Sequence, residues 1–410
     1  MIVKEYIKEF EKLGFGMFVH FGVYSLIGKG EWAKWVHNIP DEEYMTYVKQ
    51  FNPDKNWATE LVATAKKAGC KYITLTTRHH DGFSLFDTRG LNDYDAPHVC
   101  GRDLVKEFVD ACNAAGIVPF FYHTLLDWHE KSYREDFPTY LKYLRDSVEI
   151  LFTQYGKVGG IWFDGMWDRK DDNWEEDALY GMIRSHQPEA MIINNTGLSA
   201  LGALGHIELD SVTFERGKPG KINMEGSPKY VASEMCEIFA EHWGYAKNDF
   251  NFKSLRQMLI ELCDCRRCGS NMLMNVGPKG DGTLRTLDKA MLETMGEWVK
   301  MNEEAIYEAR PADVEILLGK DDFVLKKDNT YYLFCHNMYM ALADSNVMRA
   351  AGGESEKRIK MSEKIKNISW LDNGENISFT QAEDGETILD CKPFAYGDHY
   401  VVRVAKIEME

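Results

Sequence analysis

Between Gly14 and Pro278 short β-rich runs alternate with longer amphipathic runs, and this alternation limits the possible folds more than any single motif does. The β-like runs are Gly16 to Phe21, Tyr72 to Thr77, Val118 to His123, Gly160 to Asp164, Met191 to Asn194, Ser211 to Glu215 and Met272 to Val276. An eighth, in seventh position, is expected near Tyr230 to Met235. Helical periodicity marks Trp57 to Ala68, Asp103 to Ala115, Phe137 to Tyr155 and Lys253 to Cys263. Strands buried on both faces read as near-continuous apolar runs, as these do, so eight of them with crossover helices predict a closed (β/α)8-like barrel. An open doubly wound sheet would need a Gly-rich phosphate loop after the first strand, and Gly28-Lys29-Gly30 lacks the G-x-G-x-x-G form and comes late.

After Pro311 the pattern changes to alternating strands and tight turns. Phe323-Val324-Leu325 and Tyr331 to Phe334 flank a loop at Lys326 to Thr330, Asn373-Gly374 is a second turn signal, and Tyr400 to Val404 is a final alternating run. A chain of 410 residues exceeds one core. The expected division is a catalytic barrel over residues 1–310 and a small antiparallel β-sandwich over residues 311–410.

Charge and composition exclude several partners. The net charge of -17, from 65 acidic against 48 basic residues, would repel nucleic acid and an anionic membrane surface. No apolar stretch approaches the roughly 18 residues that span a bilayer. Met1 to Phe15 carries too many charges for a secretory signal and reads as a short amphipathic helix, so a cytoplasmic location is the expectation. The nine cysteines then read as reduced thiols. Cys263, Cys265 and Cys268 cluster, but inside a helical pattern and without the second ligand pair of a closed zinc site. Neither a metal nor a cofactor is expected. Self-association into a homo-oligomer stays open.

In such a barrel the reactive site lies at the carboxyl ends of the strands. Here those ends carry His20, His79 and His80, Tyr122 and His123, Asp164, Asn194 and Asn195, Glu215 and Asn275. Any one of them could be a cap or a satisfied core group; so many together point to an active site. Asp164 follows Trp162-Phe163 and Glu215 follows Phe214, and apolar surroundings raise the pKa of a carboxylic acid as a general acid requires. Two carboxylates, one protonated and one ionised, are what retaining cleavage of a glycosidic bond needs when they stand about 5 to 5.5 Å apart. A metal-dependent hydrolase is the rival, yet no strand is followed by a His-x-His pair, and His79 and His80 are adjacent, where side chains diverge. A neutral sugar instead needs hydroxyl-directed groups and an aromatic wall, supplied by His, Tyr and Asn together with Glu31, Trp32 and Trp35 of the first loop.

At these residues the chain resembles the α-L-fucosidases of glycoside hydrolase family 29. The resemblance rests on Phe15 to Gly22 (FGMFVHFG), Lys71 to Phe83 (KYITLTTRHHDGF), Ile161 to Gly165, Trp243-Gly244-Tyr245 and Asn271 to Gly282 (NMLMNVGPKGDG). It implies an exo-acting, retaining α-L-fucosidase with Asp164 as nucleophile, acting on a fucosylated oligosaccharide or glycan. It also implies that His20, Glu31, Trp32, His79, His80 and Tyr122 hold the sugar; the strand-end residues His123 and Asn194 complete the expected binding set. Two glutamates compete for the acid/base role. Glu215, in Thr213-Phe214-Glu215-Arg216, is favoured because it ends a strand and resembles a segment of the branch acting on α-1,3 and α-1,4 fucosides; Glu234 is the alternative. The chain departs from the family in His20-Phe21-Gly22 for His-Trp-Gly, in Phe121-Tyr122-His123 for Tyr-Tyr-Ser, and in lacking an Arg near Asn194-Asn195-Thr196. A fucose-binding protein without turnover and a glycosidase of a related sugar such as α-L-galactose are the alternative readings.

Overall fold

The computed structural model describes residues 2–196, 202–222, 224, 227–338 and 355–410. Eight parallel strands close into a barrel in chain order: β1 (Phe15–Val19), β2 (Tyr72–Arg78), β3 (Val118–Thr124), β4 (Gly160–Asp164), β5 (Met191–Asn194), β6 (Ser211–Glu215), β7 (Ala232–Ile238) and β8 (Asn271–Val276). β1 closes it, with Gly16 opposite Tyr72 of β2 and Phe15 opposite Met272 of β8. The expected barrel and its following antiparallel sheets are thus both present.

The inside of the barrel is packed with large side chains. Phe18, Tyr72, Phe120, Tyr122, Trp162, Met191, Ile193 and Leu273 form one buried cluster. The amphipathic helix Glu5–Leu13 adds Ile7 and Phe10 to it, with the Phe10 ring 5.6 Å from Tyr72 and 5.7 Å from Phe120. Polar residues can therefore reach a ligand only from the opposite rim. Outside, the helices end where their sequences say they should. Trp57–Ala68 and Leu104–Ala115 run into the left-handed glycines Gly69 and Gly116, and the Asp103 and Asp136 carboxylates cap the N-termini of Leu104–Ala115 and Phe137–Gln154.

β7 lies later than the expected Tyr230 to Met235. Lys229 pairs with Ile2 near the N-terminus and the Tyr230 N–H donates to the Ile2 carbonyl, so this stretch is used before the barrel strand begins at Ala232.

The chain divides into two compact units, Met1–Lys253 with Ser270–Thr294, and Ser254–Gly269 with Met295–Glu410. The first contains the whole barrel. The second contains two antiparallel sheets built from β9 (Arg310–Pro311), β10 (Glu315–Leu318), β11 (Phe323–Lys327), β12 (Thr330–Cys335), β13 (Glu356–Lys360), β14 (Ile365–Trp370), β15 (Phe379–Gln381), β16 (Glu386–Asp390) and β17 (Arg403–Met409). One sheet runs β10-β13-β16-β15 and the other β14-β17-β12-β11-β9, with Leu333, Ile359, Ile368, Leu389 and Ile407 packed in a shared core. The β11–β12 hairpin pairs Lys327 with Thr330, a tighter turn than the expected loop from Lys326 to Thr330. Asp328 makes this possible by taking a left-handed conformation (φ 51). The final strand is Arg403–Met409 and not Tyr400 to Val404, because Val401 is also left-handed (φ 66) and interrupts the extended run. No helix among the described residues is long and apolar enough to cross a membrane.

Candidate active site

The carboxyl ends of the barrel strands enclose a pocket of about 130 Å³ lined by His20, Glu31, Trp32, His79, His80, Tyr122, Asp164 and Glu215. At its centre, Asp164 ends β4. Its Oδ2 accepts from the Tyr122 hydroxyl at 3.1 Å and lies 3.6 Å from His80 Nε2; its Oδ1 accepts from Asn195 Nδ2 at 3.2 Å. The chain can turn away at once because Gly165 follows, with φ 97 and the Leu126 amide nitrogen 2.8 Å from where a Cβ would stand. Asp164 is therefore held by two donors, Tyr122 of β3 and Asn195 just after β5, with the His80 ring beyond β2 alongside, while keeping an edge towards the pocket.

Glu215 ends β6 and accepts from the same Asn195 Nδ2 at 2.6 Å. The Asn195 side chain is itself oriented by Thr213, whose hydroxyl donates to its Oδ1 at 3.2 Å. Two carboxylate oxygens that share one donor at these lengths lie less than about 6 Å apart. That bound admits the roughly 5 to 5.5 Å of a double-displacement site and, for these two oxygens, falls short of the wider spacing that admits a water between the groups. Burial, then the neighbouring Asp164 charge, raises the Glu215 pKa to about 7. Glu215 is thus a proton donor near neutral pH beside a carboxylate held by two donors.

The histidines are kept neutral by burial. It lowers the His20 pKa to about 3 and that of His80 to about 4, and it holds His79 well below the ordinary value. Hydrogen bonding then sets their tautomers. Asn275 Nδ2 donates to the Trp243 carbonyl, so Asn275 Oδ1 must accept from His20 Nδ1 at 2.6 Å. The Thr124 hydroxyl donates to the Leu126 carbonyl and accepts from His80 Nδ1 at 2.7 Å. In both rings Nε2 is left as an acceptor, which suits a ligand hydroxyl. The adjacent His79 and His80 rings do not diverge as expected: their centroids are 4.2 Å apart, because both follow the end of the regular strand, where alternation stops.

Glu31 is buried and its Oε2 accepts from the Gly244 N–H at 2.8 Å. Burial raises its pKa and this backbone donor opposes the rise. Only glycine allows that approach, since a Cβ on Gly244 would stand 2.8 Å from the Glu31 amide nitrogen. Trp32 completes an aromatic wall, stacked on Trp167 at 5.8 Å and edge-on to His80 at 5.3 Å. Trp35 lies outside the pocket, stacked on Trp128 at 5.6 Å.

Three further expected residues are not brought to the pocket. His123 alternates with Tyr122 along β3 and points outward, its Nε2 2.8 Å from the Ser147 hydroxyl on the helix Phe137–Gln154. Asn194 points outward from β5 and donates to the Tyr180 hydroxyl at 3.0 Å, whereas the next residue, Asn195, reaches the two carboxylates. Glu234 lies within the barrel core, its carboxylate accepting from the Tyr72 hydroxyl at 2.5 Å and from Trp162 Nε1 at 3.0 Å. Both its oxygens are engaged and it does not line the pocket. The pocket gains Trp167, Trp243 and Cys236, which the sequence reading did not assign to it. Only Trp243 carried a signal, as part of the quoted Trp243-Gly244-Tyr245. Among the described residues no group of His, Cys, Asp and Glu is arranged to hold a metal ion. Cys263 and Cys265 are buried within the helix Leu255–Cys268.

Comparison with known proteins agrees with this geometry. The family described as Alpha-L-fucosidase matches residues 3–304. The tissue alpha-L-fucosidase of Bos taurus is 29% identical over 75% of this chain and 70% of its own length, and the plasma alpha-L-fucosidase of Homo sapiens is 27% identical over 73% and 68%. Among solved structures, alpha-L-fucosidase isoenzyme 1 from Paenibacillus thiaminolyticus superposes with a TM-score of 0.81 at 27% identity, covering 99% of both chains.

Proposed function

The chain belongs to the alpha-L-fucosidase family, and on that premise we propose that this retaining, exo-acting glycosidase releases terminal α-linked L-fucose from oligosaccharides or glycans, with Asp164 as nucleophile and Glu215 as acid/base. The observation that carries the residue assignment is the single amide of Asn195 bridging the two carboxylates. In the first step Asp164 attacks the anomeric carbon and Glu215 gives its proton to the departing glycosidic oxygen. In the second, Glu215, now ionised, takes a proton from water, which attacks the same carbon and frees Asp164. Tyr122 and Asn195 hold the attacking carboxylate in line. His20, His79, His80 and Glu31 meet the sugar hydroxyls, and Trp32 packs on the ring.

Preference for α-1,3 and α-1,4 linkages is part of the proposal and is supported by the Thr213-Phe214-Glu215-Arg216 segment. A panel of fucosylated oligosaccharides, with the product anomer followed by NMR, tests both linkage and stereochemistry; initial release of the β-anomer would refute retention. Asp164→Ala should abolish aryl fucoside hydrolysis without altering the thermal melt. Glu215→Ala should slow substrates with poor leaving groups most, and azide should rescue it through a fucosyl azide of retained configuration. If Glu234→Ala shows the azide rescue and Glu215→Ala does not, the acid/base role moves to Glu234.

A further inference from the structure

In the second unit, two of the connections that pass from one sheet to the other are residues 371–378 between β14 and β15 and residues 391–402 between β16 and β17. Between them lies a cleft of about 580 Å³, larger than the catalytic pocket and within the size of ligand sites generally. Its floor is rigid. Trp370 and Phe394 are buried there, and the Arg403 guanidinium lies 4.2 Å from the Trp370 ring while donating to both oxygens of Asp372 at 2.8 and 3.0 Å. Its walls are open to solvent: Glu375, Asn376, Asp390, Lys392 and Asp398 are exposed and Tyr400 is half-exposed. Among the described residues the side chains of Glu375, Asn376, Asp390, Lys392 and Asp398 and the hydroxyl of Tyr400 have no hydrogen-bond or ion-pair partner within the protein, although all line the cleft.

We propose that this cleft is a second saccharide-binding site, separate from the catalytic pocket and taking a neutral oligosaccharide. The free groups combine carboxylate acceptors, an amide and an ammonium, a mixture that can bind vicinal hydroxyls from both sides. Arg403 is neutralised by Asp372, which leaves three carboxylates against one lysine and disfavours an anionic ligand. The partly exposed Tyr400 ring, packed edge-on against Phe394 at 5.6 Å, offers an apolar face to sugar C–H groups.

The test is isothermal titration of the full chain with neutral hexose- and N-acetylhexosamine-containing oligosaccharides that lack terminal fucose. At least one should bind. Tyr400→Ala and Asp390→Ala should each weaken that binding about tenfold or more, the scale of one lost hydrogen bond to a charged group. Both variants should retain wild-type aryl fucoside hydrolysis and melting temperature, and Asp164→Ala should bind as the wild type does. The proposal is overturned if no such oligosaccharide binds, if affinity is unchanged in both cleft variants, or if the cleft takes up calcium alone. Because the probes carry no fucose, these outcomes are independent of the catalytic assignment.

Discussion

Asn195 is the residue on which the two carboxylates depend, and its substitution separates their roles. Its amide hydrogen bond lowers the Glu215 pKa, against burial and Asp164, which raise it. For a general acid with a pKa of about 7, kcat/KM should be flat below that pH and fall about tenfold per unit above it, provided the nucleophile stays ionised. Asn195→Ala removes the lowering influence, so the alkaline limb should shift upward. The same variant should lose roughly 10- to 100-fold in kcat/KM, since the nucleophile is no longer oriented. A pH–rate profile of both proteins on one aryl fucoside checks this; a limb that moves to lower pH would contradict the hydrogen-bond assignment. That Asn195 and not Asn194 would matter was not legible from two adjacent asparagines, because their chemistry is the same and only their direction differs.

At the scale of the strand, direction is set by the pleat. Tyr122 faces the pocket and His123 the surrounding helix; Phe163 is buried in the outer layer and Asp164 faces the pocket. The strands themselves were readable, and β3 to β6 begin at their expected residues. The faces were not, because in a barrel strand both sides are buried and the apolar run carries no alternation. His123→Ala should therefore cost stability, about 1 to 3 kcal/mol for the lost buried partner of Ser147, with aryl fucoside turnover nearly unchanged. His80→Ala should do the reverse, lowering turnover strongly. Melting curves measured beside kcat for the two variants decide it. Loss of activity in His123→Ala at full occupancy of the folded state would place that ring in the site after all.

For the whole molecule, the buried Glu234 makes stability depend on pH. Burial raises its pKa from 4.5 to about 7, so the folded state holds a proton that the unfolded chain releases. The resulting stabilisation is fully present below about pH 4.5, declines as pH rises, and is gone above about pH 7. The difference is of the order of 3 kcal/mol for a group so fully buried. Glu234→Gln keeps the shape and removes the titration. Relative to the wild type it should melt higher at pH 8 than at pH 5, as followed by circular dichroism. An unchanged difference between the two pH values would mean that Glu234 is not the titrating acid.

Local pattern sufficed for the barrel, its order and the presence of acids and imidazoles at the strand ends, because periodicity and turn chemistry act over a few residues. Asp164 alone read as a turn residue as readily as an acid with a chemical role; the other polar strand ends and the family resemblance singled it out, and the Gly165 that follows it is required by the close approach of Leu126. The sequence favoured Glu215 over Glu234; tertiary structure alone shows which of them stands beside that acid. Glu215 and Glu234 both sit on strands, and burial raises both to about 7. They differ in what surrounds them: Tyr72 and Trp162 occupy both oxygens of Glu234 in the core, while Glu215 shares Asn195 with Asp164 at the rim. Those partners come from strands far apart in the chain. Only closure of the barrel brings them within hydrogen-bonding distance.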